Sequence, residues 1–482
     1  MPDSTFRISR FFGIFLTVLL VSCSQAVTPS PAQVIDTTTP IISETIVPQA
    51  TSPIAASPTE LPATPTVDEV TIDSSWFILR TGQGVEASDQ DIKSRIPLLE
   101  GIDSQTSILM AAPEKSNGWF TLYNGQDNSL NFFHQPDRQT IKKLSLLSNT
   151  EISEGKTAAY QQVLSTTNPA AVKWSPDGEL AVFLAAIDRP LMELYLFDTS
   201  DLSVTRISEG SQDLYQPIWS PDGSWIIYNE TDGFNTVGLW SVTAVKAVRS
   251  NASQTTTLYE PASYAEPFQG WSSPDSFIVH SVRDHGPVDL REVFLSGATS
   301  RSIFTGVFNN PAFDPTNGTI AFLITDSFID PAVQPAGIYF GSTSRPIKIL
   351  APGQWDSLSW DNSAKQFFGI SDQSFTSAFT ASGLLATFKD ETTIPKVSQD
   401  GKTVAFFGGK EADKPGLRLY SNQGKLLENI SDKPILALMW LPENKLVFSV
   451  GEDLYQISPD QLPVSLMEKA SLLGWLTNRA VQ

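Results

Sequence analysis

From about residue 107 onward, short apolar runs alternate with turn signals. The clearest unit is Val172-Lys-Trp-Ser-Pro-Asp-Gly178 followed by Leu180-Ala-Val-Phe-Leu184. It recurs as Pro217-Ile-Trp-Ser-Pro-Asp-Gly223 with Trp225-Ile-Ile-Tyr228. Degenerate copies follow around Trp271, Phe313, Trp360, Val397 and Trp440. The runs are too short for helices and too continuous for half-exposed strands, so each reads as a strand buried on both faces. A third strand reads as Leu194-Tyr-Leu-Phe197 and a fourth as Val204-Thr-Arg-Ile207.

The markers Trp174, Trp219, Trp271, Phe313, Trp360, Val397 and Trp440 are separated by 45, 52, 42, 47, 37 and 43 residues. Repeats of that period, with several strands each, predict the blades of a β-propeller. Ser-Pro-Asp-Gly suits a type I turn, with Pro setting φ at its second position and Gly supplying a positive φ. Such a turn closes a tight hairpin between the first two strands of a blade, and the Trp before it is expected to pack between blades. These repeats resemble the TolB-type, WD-repeat-like propeller repeats of bacterial envelope proteins, over about residues 168–466. The resemblance implies an all-β ring of four-stranded blades. TolB itself has a separate amino-terminal α/β domain and no lipid anchor. This chain departs from both, so a role in the Tol–Pal system does not carry over.

Seven markers mean at least seven blades. Residues 107–148 offer another, with strands such as Trp119-Phe-Thr-Leu-Tyr123 and Leu130-Asn-Phe-Phe133. Leu472-Leu-Gly-Trp-Leu476 resembles a first strand with no blade after it. It would close the ring by pairing with strands such as Trp76-Phe-Ile-Leu79. The expectation is eight blades, with seven as the alternative, spanning residues 71–482.

The amino-terminal part has a different character. Arg7 and Arg10 precede an 11-residue apolar run, Phe11 to Val21. That is too short to span a bilayer but fits the core of a signal peptide. Leu20-Val21-Ser22-Cys23 resembles the lipobox of bacterial lipoproteins. The resemblance implies cleavage after Ser22 and acylation of Cys23. Residues 1–22 are thus expected to be a signal peptide. Residues 24–70 hold eight Pro, nine Thr and five Ser with no Lys or Arg. Together with Cys23 they read as a disordered tether, because such a segment cannot bury enough apolar surface to offset its chain entropy. The expected location is the cell membrane or outer membrane, facing away from the cytoplasm.

Charge and chemistry narrow the function classes. The net charge of −20 argues against nucleic acids and anionic surfaces, which need clustered Lys and Arg. A single cysteine excludes a disulfide framework and a cysteine zinc site. The chain contains no Gly-x-Ser-x-Gly elbow, His-Glu-x-x-His or phosphate-cradling Gly-rich loop. His280 and His285, with Asp289, form one local cluster, but a spacing of five suits neither face of a strand, so no metal and no cofactor is expected.

The loop after each buried second strand carries an Asp: Asp188, Asp232, Asp284, Asp326, Asp372, Asp413 and Asp453. Several add another carboxylate, such as Glu230, Asp289, Asp330 and Glu411. In a propeller these loops share one face, so the residues would form an acidic ring around the channel mouth. The plainer reading is that Asp favours turns and that repeats inherit the same turn. The favoured function is a monomeric, membrane-anchored binding or scaffolding module, acting through a propeller face on an envelope protein or extracellular polymer. The alternatives are an envelope carbohydrate-active enzyme with carboxylates at the channel mouth and a cation-dependent adhesin.

Overall fold

The computed structural model describes residues 76–476, except 91, 104–105, 114–117, 135–139, 167–171, 234–241, 260–267, 282–287, 297–298, 307–308, 315–317, 326–333, 344, 362–363, 411 and 459–460. The segments expected to be a signal peptide and a tether, with Cys23 between them, lie outside the described residues.

Among the described residues there are nine antiparallel four-stranded sheets. Blade 1 joins Trp76–Thr81, Gly84–Asp89 and Arg95–Glu100 to the last strand, Ala470–Leu476. Blade 2 runs from Ile108–Ala111 to Lys142–Ser145 and blade 3 from Val172–Trp174 to Val204–Arg206. Blade 4 extends from Asp213–Trp219 to Thr255–Tyr259, blade 5 from Phe268–Ser273 to Thr299–Gly306, and blade 6 from Asn309–Asp314 to Arg345–Pro352. Blade 7 spans Trp355–Asp361 to Gly383–Lys389, blade 8 Lys396–Val397 to Leu426–Ser431, and blade 9 Ile435–Trp440 to Val464–Met467.

Neighbouring blades meet through apolar clusters, and these close the circle. One cluster runs through blades 2 to 5. Others join blades 1 and 2, 5 and 6, 6 and 7, 7 and 8, and 8 and 9. The last joins Leu441, Val447 and Leu454 of blade 9 to Phe77, Leu79 and Leu472 of blade 1. The second strands of blades 2 and 4 are buried throughout, over Trp119–Asn124 and Trp225–Thr231. That explains their nearly continuous apolar sequence.

Nine blades replace the eight, or seven, that the repeat count implies. The missing blade is the one shared between distant parts of the chain. Ala470–Leu476 pairs antiparallel with Trp76–Thr81, so blade 1 has no hairpin between its first and second strands and carries no turn motif to count. The closing strand is placed as expected, but it completes a blade of its own with Gly84–Asp89 and Arg95–Glu100.

The turn motif is built from one set of bonds in blades 3, 4 and 8. The amides of Gly178, Gly223 and Gly401, at φ of 80°, 71° and 69°, each donate 2.9 Å to the carbonyl of Ser175, Ser220 or Ser398. Each serine hydroxyl donates to the Asp of its turn, at 2.5, 2.5 and 2.7 Å. The same hydroxyl accepts the amide that opens the next strand, from Leu180, Trp225 or Thr403. In Asp222 and Asp400 burial pulls the carboxyl pKa up, but the bonds from serine hydroxyls and backbone amides outweigh it and hold the groups low. Their contribution is present above the ordinary carboxylate range and is lost as pH falls through the lowered values.

The marker tryptophans also tie blades together. The Trp219 indole donates 2.8 Å to the Lys173 carbonyl of blade 3, and the Trp440 indole donates 3.1 Å to the Lys396 carbonyl of blade 8. Trp219 is buried, whereas Trp440 is partly open. Trp219→Phe should therefore destabilise the fold by about 2–3 kcal/mol, through the lost bond and the lost packing. Trp440→Phe should cost about 1 kcal/mol. Denaturant midpoints of the two variants check this order.

Candidate functional site

Successive strands are antiparallel, so each blade has two ends. The Ser-Pro-Asp-Gly hairpins mark the turn face. The connection between second and third strands, and the connection to the next blade, lie on the opposite loop face. Asp188, Asp232, Asp372, Asp413 and Asp453 all follow second strands and lie at the loop face. Asp284 and Asp326 fall in the connections of blades 5 and 6, outside the described residues, as do His285, Asp330 and Glu411.

The aspartates share a face but do not converge. Among the described residues no three His, Cys, Asp or Glu side chains come together as a metal site. Asp188 accepts a hydrogen bond from Tyr195 and is ion-paired with Arg206 at 2.9 Å. Asp372 accepts the Ser371 hydroxyl at 3.2 Å, and Asp453 accepts the Lys469 amide at 3.3 Å. Asp188, Asp232, Asp372 and Asp413 are exposed. Of the added carboxylates, Asp289 lies 3.6 Å from Arg291 and accepts the Thr305 hydroxyl at 2.5 Å. Glu230 is buried and lies 2.7 Å from Lys246.

The structure instead gathers a charged network at the loop face of blades 3 and 4, which the repeat pattern did not reveal. The connection between blades 2 and 3 carries a helix, α1 (Glu154–Thr166), capped by the Ser153 hydroxyl at 3.4 Å from the Lys156 amide. Ala159, Tyr160, Val163 and Leu164 form its buried side. From α1, the Tyr160 hydroxyl donates 2.5 Å to Asp213, which opens the first strand of blade 4. Asp213 also accepts the Met192 amide at 2.8 Å and faces Lys156 at 3.3 Å. One carboxylate thus fastens the helix, the second loop of blade 3 and the first strand of blade 4.

Glu193, the first residue of the third strand of blade 3, is fully buried. Arg189 lies 2.8 Å away, and the Ser208 hydroxyl donates to it at 2.5 Å. Burial pushes the Glu193 pKa up, and the hydrogen bond from Ser208 and the charges of Arg189 and Arg206 only partly offset this. Tyr195 is held neutral, its pKa raised to about 12 by burial and by its bond to Asp188. Burial, with Glu230 and Glu193 nearby, likewise raises Tyr228. The network therefore sets Asp188, Glu193, Asp213 and Glu230 against Lys156, Arg189, Arg206 and Lys246, and its inner members have no access to solvent. Its trace in the sequence is faint: Glu193 opens a largely apolar strand, Asp213 opens the first strand of blade 4, and Glu230 lies near the end of its second. Asn229 is buried and its side-chain amide donates 2.8 Å to Gln216.

No family model and no curated protein matches the chain. Solved structures do. An oligogalacturonate lyase in complex with manganese is similar at 13% identity over 75% of this chain and 95% of that one, with a TM-score of 0.40. A Pyrococcus horikoshii acylaminoacyl peptidase is similar at 10% identity over 75% of this chain and 53% of its own, with a TM-score of 0.39. TolB from Acinetobacter baumannii is similar at 13% identity over 73% of this chain and 77% of its own, with a TM-score of 0.30. At such identities the likeness concerns the fold, and the β-propeller itself rests on the nine sheets.

Asp213→Ala removes the acceptor of the Met192 amide and the shorter bond of the Tyr160 hydroxyl, which keeps the Pro190 carbonyl at 3.3 Å, so it should cost about 2 kcal/mol and expose α1 to limited proteolysis. Glu193→Gln should act with a definite pH dependence. The raised pKa means that the folded chain holds this proton more tightly than the unfolded one. The stability it contributes is present below the ordinary carboxylate range and is lost as pH rises through the raised value. Relative to Glu193→Gln, the parent chain should thus lose stability as pH rises from 4 to 7, read from unfolding midpoints at several pH values.

Proposed function

We propose that this chain is a lipid-anchored, extracytoplasmic binding or scaffolding module that presents the loop face of its propeller to an envelope protein or an extracellular polymer. The observation that carries this reading is the contrast on the loop face. Buried Glu193, Asp213 and Glu230 are each ion-paired there, while Asp232, Asp372 and Asp413 in equivalent loops are exposed. Such a surface is broad, acidic and rigidly mounted, which suits a partner that covers several blades. It suits catalysis less well: Glu193, whose protonation is shifted, is sealed from any substrate. The anchor rests on Cys23 behind its apolar run, and the tether on the Pro- and Thr-rich segment that follows.

Two measurements test the parts separately. Cys23→Ser should abolish labelling by radioactive palmitate and release the protein from the membrane pellet; unchanged labelling would remove the anchor. Asp232, Asp372, Asp413 and Asp453 changed together to Asn should weaken a discrete crosslinked partner from solubilised envelopes at least tenfold, with unfolding unchanged. Equal capture by both forms would move the site off this face.

A further inference from the structure

The turn face of blades 7, 8 and 9 differs from the rest of the rim. Leu384 and Leu385, Leu426 and Leu427, and Leu462 and Val464 occur where the outer strand of each of these blades begins, and they are 42–78% exposed. Among the described residues, Leu436 is the one other large hydrophobic side chain exposed beyond 40%. The outer strands of blades 1, 2, 5 and 6 carry charges that guard an open edge, such as Arg95, Lys142 and Lys143, Arg301 and Lys348, whereas that of blade 4, Thr255–Tyr259, has none. The outer strand of blade 8, Leu426–Ser431, has Glu428 alone, and that of blade 9 has none.

Between blades 8 and 9 this strip opens into a groove of about 330 Å³. Leu419 and Leu427 of blade 8 and Trp440 and Ile457 of blade 9 supply its apolar lining. Its polar margin is Thr403, Glu428, Asn444 and Ser458, so Glu428 is its sole charge. A turn with two residues in the left-handed region borders the groove. Where blades 3, 4 and 8 use glycine, blade 9 holds Glu443 and Asn444 at φ of 62° and 57°. Two non-glycine residues in the left-handed region cost about 1–3 kcal/mol each, and such strain persists where the surroundings enforce it. Here Asn444 accepts the Asp400 amide of blade 8 at 3.3 Å, and Glu443 lies 3.0 Å from Lys445.

We propose that this groove is a docking site for an extended segment of a partner polypeptide that places an apolar side chain against Trp440 and Leu427 and a lysine or arginine beside Glu428. The outer strand of blade 8 pairs on one side only, so its free edge can take an added strand. The groove has room for one or two large side chains, and its charge selects a cationic neighbour. This surface lies on the opposite face from the aspartate loops, so the two sites are independent.

The test uses synthetic nine-residue peptides in a Ser/Thr background, one with Leu and Lys two positions apart, and matched versions with Glu for Lys or Ser for Leu. Binding to the whole chain is read by fluorescence anisotropy. The Leu/Lys peptide should bind at least tenfold more tightly than either control. Leu427→Ser should remove that preference, and Glu428→Lys should reverse it toward the Glu peptide. Both residues are exposed, so the variants keep the fold. Equal affinity for the Lys and Glu peptides, or binding untouched by both substitutions, overturns the proposal. Sedimentation showing a dimer that Leu427→Ser dissolves would also overturn it, by making a second copy the occupant; binding to neutral lipid vesicles lost in the same variant would overturn it in favour of a membrane.

Discussion

Trp76–Thr81 and Ala470–Leu476 are far apart in sequence and adjacent in space, and the whole ring depends on their meeting. Each blade buries its broad faces only against neighbours, so an open row would leave two apolar faces and two inner edges without partners. Closure supplies both. Phe77 packs against Trp475 with ring centroids 5.2 Å apart, and Leu79 and Leu472 join the cluster shared with blade 9. The entropic cost of closing so long a loop rises only with the logarithm of its length, while every added blade contributes a full interface. A ring of this size is therefore stable once made, but slow to make, since its decisive contacts are the least local ones.

The two faces follow from the same geometry. Turn-face connections are short because consecutive antiparallel strands need only a hairpin. The loop face carries the crossings to the next blade, and there the chain has room for α1 and for the Asp213 and Glu193 network. Those charges fix a helix and two blades as one body, which is a structural role. Asp232, Asp372 and Asp413 lie exposed at the same face. Blades 7 to 9 reverse the usual arrangement: their turn face bears leucines and the groove beside Trp440, so the molecule offers chemically distinct surfaces on opposite sides.

Much of this was legible in the sequence, and the reasons are local. Ser-Pro-Asp-Gly dictates its own turn, and the apolar runs behind it mark strands buried on both sides, so the blades announced themselves one at a time. The closing strand was legible too, because Leu472–Leu476 had no blade to follow. Blade 1 was not, since no hairpin joins its first two strands. Degenerate turns hid their geometry: Lys365 and Asn444 take the positive φ that glycine takes elsewhere. The aspartate loops were placed on one face, but sequence register says nothing about distance, and the side chains do not converge. Asp213 and Glu193 were missed because a buried charge looks like any surface charge until its partners, here Tyr160, Arg189 and Ser208, are known.

The claim on which the rest stands is the shared blade. In a Cys23→Ser background, cysteines at the paired positions Arg80 and Ser471 test it directly. Closure predicts rapid, complete oxidation to an intramolecular disulfide in a monomer, with a raised unfolding temperature that falls back on reduction. Failure to crosslink, or crosslinking only between molecules, would contradict the closed ring.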